Sequence, residues 1–323
     1  MSSLRYAIIG TGAIGGYYGA RLQQAGCDVH FLLRSDYSAV MASGLRVESV
    51  QGDFALPVVN AYRDPAEMPP VDVAIVALKT TQNHRLNELL PALNTNGVVL
   101  TLQNGFGVEA DIARHLLSQQ QPVPTLLGGL CFICSNKVGP GHIRHIDYGR
   151  VLIGAHDAAN QRCEPTPLMQ DIVADFARAK VTAEMTDDLP MARWQKLVWN
   201  VPYNGLSVVL NATTEEMMAD SGVRSLITTL MEEVVTAGNT WAEHLSPGEN
   251  RRLPGGIVSN MLSLTETMQP YRTSMKLDYD EGRSLEVEAI LGNPLRASQL
   301  AGYSPPAMCM LYRQLSFLNA SLS

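Results

Sequence analysis

The sequence predicts an α/β amino-terminal domain followed by an all-α carboxy-terminal domain, and three observations carry that expectation. Short apolar runs rich in β-branched residues alternate with amphipathic segments through the first 187 of the 323 residues. A glycine-rich turn joins the first of these runs to the first helix. Beyond it, from residue 188 to 323, strand-like runs fade and apolar residues recur at helical spacing. Strands alternating with helices build a doubly wound parallel sheet. The boundary is therefore placed between domains 1–187 and 188–323.

Taken in order, residues 6–9 form a buried parallel strand, because an uninterrupted apolar run suits a strand covered on both faces. Gly10, Thr11, Gly12, Ala13, Ile14 and Gly15 follow with G-x-G-x-x-G spacing, and a helix over 13–25 closes at Gly26. This is the fingerprint of a Rossmann-type dinucleotide-binding unit. Gly10 makes the tight turn, Gly12 admits the pyrophosphate to the backbone, and Gly15 allows close helix–strand packing. The helix amino terminus presents unpaired N–H groups and a positive dipole end to the phosphates.

A second strand, 28–33, delivers Arg34 where the ribose-reading residue belongs. An NAD reader carries Asp or Glu there, whereas an Arg accommodates a 2′-phosphate. Arg34 followed by Ser35 predicts NADP.

Further along, the spacing predicts a helix over 37–43, a hairpin of 45–50 with 54–59, and a strand over 71–78 that ends at Lys79. Helix 83–93, strand 98–102 ending at Gln103-Asn104-Gly105, helix 108–117 and a strand around 125–129 follow. Ligands of such sheets sit beyond the carboxyl ends of the strands. Lys79 and Asn104 occupy that edge together with the glycine turn. Strands through 130–153 turn at Gly139-Pro140-Gly141, then helix 165–179 and a last strand, 181–184, complete the domain.

Charge and composition exclude several function classes. A net charge of −7 lacks the basic face of a nucleic-acid binder. No apolar run approaches the ~18 residues of a membrane helix. Five scattered cysteines suit reduced thiols in the cytoplasm. Cys131-x-x-Cys134 and His142-x-x-His145 resemble a metal signature, but strand positions i and i+3 point to opposite faces, so no metal site is expected.

The densest chemistry lies in the second domain. Lys196, Asn200 and Asn204 stand at i, i+4 and i+8, one polar stripe on a helix otherwise bearing Trp194, Leu197, Val198 and Val201. Asn is a poor mid-helix residue and buried amides need partners, so the stripe points to a ligand. Pro202 should kink this helix or open a carbonyl. Helices over 223–244, 250–268, 283–300 and 305–318 carry apolar faces that serve the core or a homodimer contact.

With these blocks in order, the chain resembles the ketopantoate reductase family over nearly its whole length. The resemblance rests on the glycine fingerprint with Arg34, Lys79-Thr80-Thr81-Gln82, Leu102-Gln103-Asn104-Gly105, Trp194-x-Lys196-Leu197-x-x-Asn200-x-x-x-Asn204, Asn211, Thr273-Ser274-Met275-Lys276-Leu277-Asp278 and Leu285-Glu286-Val287-Glu288. It implies a Rossmann domain plus a helical domain, with the active site in the cleft between them. It also implies NADPH-dependent reduction of the C2 ketone of 2-dehydropantoate in pantothenate biosynthesis. By the same resemblance Lys196 is the general acid, and Asn200, Asn204, Asn211 and Ser274 bind substrate. Glu286 sits by the lysine and the cofactor, and Lys79 and Asn104 join the cofactor side. Two departures, Thr214 where some members have Asn and Glu288 where Asp is usual, keep open a paralogue acting on another 2-keto acid. A non-catalytic NADPH sensor is the reading from another class, and the intact Lys196 stripe speaks against it.

Overall fold

The computed structural model describes residues 4–268 and 272–322. The chain forms two compact units: one ends at Leu189 and omits Gly105–Gly107, and the other takes up that tripeptide with the chain from Pro190 onward.

The first unit contains β1 (Arg5–Ile9), α1 (Ala13–Gln24), β2 (Asp28–Leu32), α2 (Tyr37–Ser43), β3 (Leu45–Ser49), β4 (Phe54–Leu56) and β5 (Asn60–Tyr62). It continues with β6 (Val71–Val76), α3 (Leu86–Leu89), β7 (Leu93–Thr101), α4 (Val108–Ser118), β8 (Thr125–Gly139), β9 (His142–Ala155), α5 (Pro167–Arg178) and β10 (Ala183–Thr186). All strands join one sheet in the order β4-β3-β9-β8-β7-β6-β1-β2-β5, with β10 beside β9. Neighbours from β8 through β7, β6, β1 and β2 to β5 run parallel. β8 and β9 form a long antiparallel hairpin. One edge of β9 is then shared: residues 142–145 pair with β3, and residues 151–154 pair with β10.

Burial explains why the central strands read as unbroken apolar runs. Tyr6, Ala7, Ile8 and Ile9 are wholly inaccessible, as are Val73, Ala74, Ile75 and Val76. At the periphery tertiary pairing overrides the sequence signal. The expected strand 54–59 stops at Leu56, before Pro57, and the chain re-enters the sheet as β5. The expected helix 83–93 shrinks to a 3₁₀ turn, Thr80–Arg85, and the single turn α3. Pro91 accounts for that, because Leu90 before it is driven to an extended conformation (φ −77°, ψ 129°). The last strand lies two residues later than expected, after Lys180 turns the chain in a left-handed conformation.

The second unit is helical: α6 (Leu189–Val209), α7 (Thr214–Ala219), α8 (Ser221–Leu245), α9 (Ile257–Thr267), α10 (Ser274–Asp280), α11 (Asn293–Leu300) and α12 (Pro306–Ala320). α6 runs through Pro202 without interruption. The expected helix 250–268 begins only at Ile257, after Pro254 and a left-handed Gly256. The expected helix 283–300 is replaced at its start by residues without regular structure and a π turn, Glu288–Gly292, before α11. Here other partners take the N–H groups: the Leu285 N–H donates to the Asn319 side chain (Oδ1, 2.7 Å), and the Arg283 N–H donates to the Asp278 backbone carbonyl (2.8 Å). No described helix is long and apolar enough to cross a membrane.

One buried group of the first unit makes stability depend on pH. His145 Nε2 faces the carbonyls of Asp147 (3.1 Å) and Tyr148 (3.0 Å), which only accept, so Nε2 carries the proton. Nδ1 is then left to accept from the Ser49 hydroxyl at 2.8 Å. Burial disfavours the imidazolium and holds the pKa of His145 below its usual value, against the raising effect of the two carbonyls. The unfolded chain therefore binds more protons than the folded one as pH falls through and below the ordinary histidine range, and stability falls with it. Between about pH 7 and about pH 5, the Tm of His145→Asn is expected to fall less steeply than that of the parent. Equal slopes in thermal melts would remove His145 from the pH response.

Candidate active site

The first unit gathers its predicted cofactor residues at one edge. The order β7-β6-β1-β2 places the ends of four consecutive parallel strands side by side, and the chain reverses its direction of travel between β6 and β1. Such a switch point is where open parallel sheets bind ligands. The glycine turn follows β1, Arg34 follows β2, Lys79 follows β6 and Asn104 follows β7.

The three glycines are required for three different reasons. Gly10 takes a positive φ of 99°, and a Cβ there would meet the Ala77 backbone at 2.8 Å. Gly15 packs under the turn, where a Cβ would lie 2.3 Å from the Gly10 carbonyl oxygen and 3.0 Å from Ile8. Gly12 differs: its φ of −87° is open to any residue, and a Cβ would meet nothing within 4 Å. The protein itself gives no reason for glycine at this helix N-cap. A ligand approaching the backbone does, and the residues fit a dinucleotide pyrophosphate. Gly12→Ala is therefore expected to leave Tm unchanged while weakening dinucleotide binding at least about tenfold, since a methyl group blocks charge-assisted N–H contacts. Gly15→Ala is expected to lower Tm instead. Calorimetry with parallel dinucleotide titration separates the two, and an unaltered affinity in Gly12→Ala would overturn the pyrophosphate assignment.

Around this turn, neutral side chains hold the strand ends in place. The Thr11 hydroxyl donates to the Leu32 carbonyl (3.3 Å), tying the glycine turn to the strand that leads into Arg34. Arg34 is exposed. The nearest following acid, Asp36, is buried and engaged elsewhere, with Lys137 Nζ at 2.6 Å and the Gly141 N–H at 3.0 Å. Burial raises its pKa, but Lys137 and the Gly141 N–H outweigh that and hold the carboxyl below its ordinary range. Asp36 is thus not free to read a ribose hydroxyl.

Sequence reasoning missed the part played by Gln103. Its Nε2 donates to the Leu78 carbonyl (2.9 Å) and to Asn83 Oδ1 (2.7 Å), while its Oε1 accepts from the Thr101 hydroxyl (2.9 Å). With both ends of the amide used and only 4% exposure, Gln103 locks the loop bearing Lys79 against the one bearing Asn104. Its place between an apolar strand and Asn104 was the only signal available in the sequence.

Cys131 and Cys134 are buried thiols on β8 and not bonded to each other. Burial, helped by Asp147, pushes the Cys134 thiol up to about 12, far from the range of a reactive thiolate. His142 pairs with Glu48 (2.9 Å), and His145 is held by Ser49. The two histidines are engaged with separate partners.

In the second unit, α6 sorts its residues by face. Trp194, Val198 and Val201 are fully buried, and Gly205 lies where a Cβ would meet Leu311 at 2.6 Å. Trp194 is clamped by Phe106 (ring centroids 4.8 Å) and by Gly238, whose missing side chain makes room for the indole. On the opposite side Arg193, Lys196, Asn200, Asn204 and Ser207 follow one another in steps of three or four, a single polar stripe. Arg193 is buried and donates to the Gly105 carbonyl (2.9 Å), anchoring the beginning of the stripe. Lys196 is half-buried. Asn200 is 6% exposed.

The end of the stripe meets the start of α10. Asn204 Oδ1 accepts from the Met275 N–H at 3.4 Å, and Thr273 caps α10 by accepting from the Lys276 N–H at 3.2 Å. Ser274 is the first residue of that helix, half-buried. Glu286 is 5% exposed, held between the buried side chains of Leu285 and Val287. Glu288 instead turns to Tyr312 (2.6 Å) and Arg296 (2.7 Å). Asn211 stands apart from the stripe: it is exposed and left-handed (φ 53°) just beyond the end of α6, a conformation Asn tolerates. Thr214 is buried at the first turn of α7.

Comparison with known proteins matches both parts of this description. Residues 6–158 fit the family described as Ketopantoate reductase PanE/ApbA, and residues 188–319 fit its C-terminal counterpart. Over 320 residues the chain is 53% identical to a 2-dehydropantoate 2-reductase of Nostoc sp. (strain PCC 7120), covering 99% of this chain and 96% of that protein. The crystal structure of 2-dehydropantoate 2-reductase from Geobacter metallireducens GS-15 superimposes with a TM-score of 0.88 at 39% identity, covering 99% of this chain and 100% of the other. That from Methylococcus capsulatus gives 0.83 at 28% identity, with 99% and 98% covered. With both halves matched in order and more than half its residues shared with one relative, the chain belongs to the ketopantoate reductase family of dinucleotide-binding oxidoreductases.

Proposed function

We propose that this protein reduces the C2 ketone of 2-dehydropantoate to the alcohol of pantoate with NADPH, the first unit holding the dinucleotide and the second the keto acid. The observation that carries the reading is the stripe itself: Lys196, Asn200 and Asn204 share one face of α6, the lysine half-buried and both asparagines buried. Polar groups gathered on one buried face need polar partners, and a polar ligand on that stripe would engage them.

Bound NADPH supplies the hydride that reaches C2. The chain's own residues then have three tasks: to fix the keto acid, to stabilise charge growing on the ketone oxygen, and to deliver one proton. Lys196 suits the last two, since its ammonium stabilises a developing alkoxide and passes it a proton from Nζ. The lysine regains its proton from solvent. Glu286, a buried acid of the same unit, favours the charged lysine. Asn200, Asn204 and Ser274 hold the substrate without adding charge. Asn211 also belongs to the substrate set in this reading, although its left-handed conformation is by itself a reason for Asn. Lys79, Asn104 and the turn from Gly10 to Gly15 serve the cofactor, and Arg34 its 2′-phosphate. Leu300, Met310 and Phe317, all exposed, offer apolar surface that a second copy would cover. A single-chain mass in light scattering would rule that homodimer out.

The test is the loss of reduced-nicotinamide absorbance with purified protein and ketopantoate, with NADH run in parallel. Rapid, NADPH-preferring oxidation is expected. Tight NADPH binding without turnover on ketopantoate, but with turnover on another 2-keto acid, would replace the substrate and keep the reaction class.

A further inference from the structure

Two hydroxyl groups that have no substrate role in this reading link parts of the site just described. Ser207 and Thr273 are both wholly inaccessible, and their oxygens lie 2.8 Å apart. Ser207 Oγ also donates to the Asn204 carbonyl at 3.0 Å, so its single proton is used. Thr273 must therefore be the donor between the two hydroxyls. Its remaining lone pair accepts from the Lys276 N–H at 3.2 Å. The result is one directed chain: Lys276 N–H to Thr273 O–H, to Ser207 O–H, to the Asn204 carbonyl. Every hydroxyl donates once and accepts once, and bonds aligned in this way reinforce one another.

This chain joins the last turns of α6 to the first turn of α10, with a second tie in parallel, the Met275 N–H to Asn204 Oδ1. That second tie also orients the Asn204 amide: Oδ1 accepts from backbone, and Nδ2, which can only donate, is its donor for a ligand.

We propose that Ser207 and Thr273 are positioning residues that set the register of the Lys196–Asn200–Asn204 stripe against Ser274, presenting Asn204 as a hydrogen-bond donor to an acceptor group of the keto acid. The proposal rests on the substrate reading given above. Neither hydroxyl is accessible to a ligand, so both act only through Asn204 and the start of α10.

Thr273→Val keeps the shape and removes the hydroxyl, while Thr273→Ser keeps the hydroxyl. For Thr273→Val, KM for ketopantoate is expected to rise about tenfold, the usual weight of one buried hydrogen bond, with KM for NADPH unchanged. Thr273→Ser is expected to return to within about twofold of the parent, and Ser207→Ala to reproduce the Val variant. The same fold-loss is expected on the analogue lacking only the 4-hydroxyl, because a donor aimed at the keto-acid end does not need it. Equal kinetics for the Val and Ser variants, or a parallel rise in KM for NADPH, would overturn the proposal. Should the Val variant fail to fold, Ser207→Ala carries the same comparison. Hydrogen exchange of the Met275 and Lys276 amides is read alongside. If the parent does not turn over ketopantoate, the substrate reading fails on its own. Unchanged exchange in both hydroxyl-deleted variants would then overturn the relay independently.

Discussion

Lys196→Ala is expected to lower kcat by about 10²–10⁴-fold, the usual contribution of a positioned acid, with the dinucleotide bound as before. The side chain sits half-buried on a stripe whose opposite face is locked by Trp194, Val198 and Val201, so truncating it should leave α6 in place. A kcat loss with unchanged Tm is thus the signature of lost chemistry and not of lost fold. Lys196→Arg should not restore the rate. A guanidinium keeps the positive charge but holds its proton too tightly to give it up, so it separates charge stabilisation from proton transfer. Single-turnover measurements with saturating NADPH check this. A variant retaining the parental kcat would remove Lys196 from the mechanism, whatever its effect on KM.

Arg34→Ala is expected to weaken NADPH by about 10–100-fold, the range of charge-assisted hydrogen bonds to one phosphate, and to leave NADH nearly unaffected. Two features of the structure sharpen that contrast. Arg34 is exposed at the end of β2, where it has no packing role to lose. Asp36, the one acid close by in sequence, is committed to Lys137 and Gly141 and cannot take over as a ribose reader. Removing the arginine should therefore erase the preference between the two cofactors without inverting it. Fluorescence titration with each reduced dinucleotide measures both affinities, and equal losses would refute the 2′-phosphate reading.

The sequence by itself determined the fold class, the dinucleotide turn and the polar stripe, because each rests on local periodicity. An apolar run followed by G-x-G-x-x-G has few structural meanings, and Lys196, Asn200 and Asn204 must share a face once they lie on a helix. The same logic failed where long-range partners decide. The helix expected over 83–93 yielded to Pro91, and the one expected from 283 yielded to bonds from Asn319 and Asp278.

Only the tertiary structure could distinguish Gly12 from Gly10 and Gly15, since all three read alike in the motif and differ in what a Cβ would meet. It alone revealed Gln103 as the clamp between two loops, and the path from Lys276 through Thr273 and Ser207 to Asn204. Thr273 lies 66 residues from Ser207, and no periodicity connects them. Hydrogen bonds between distant segments depend on where whole helices pack, and that is decided by the cores beneath them.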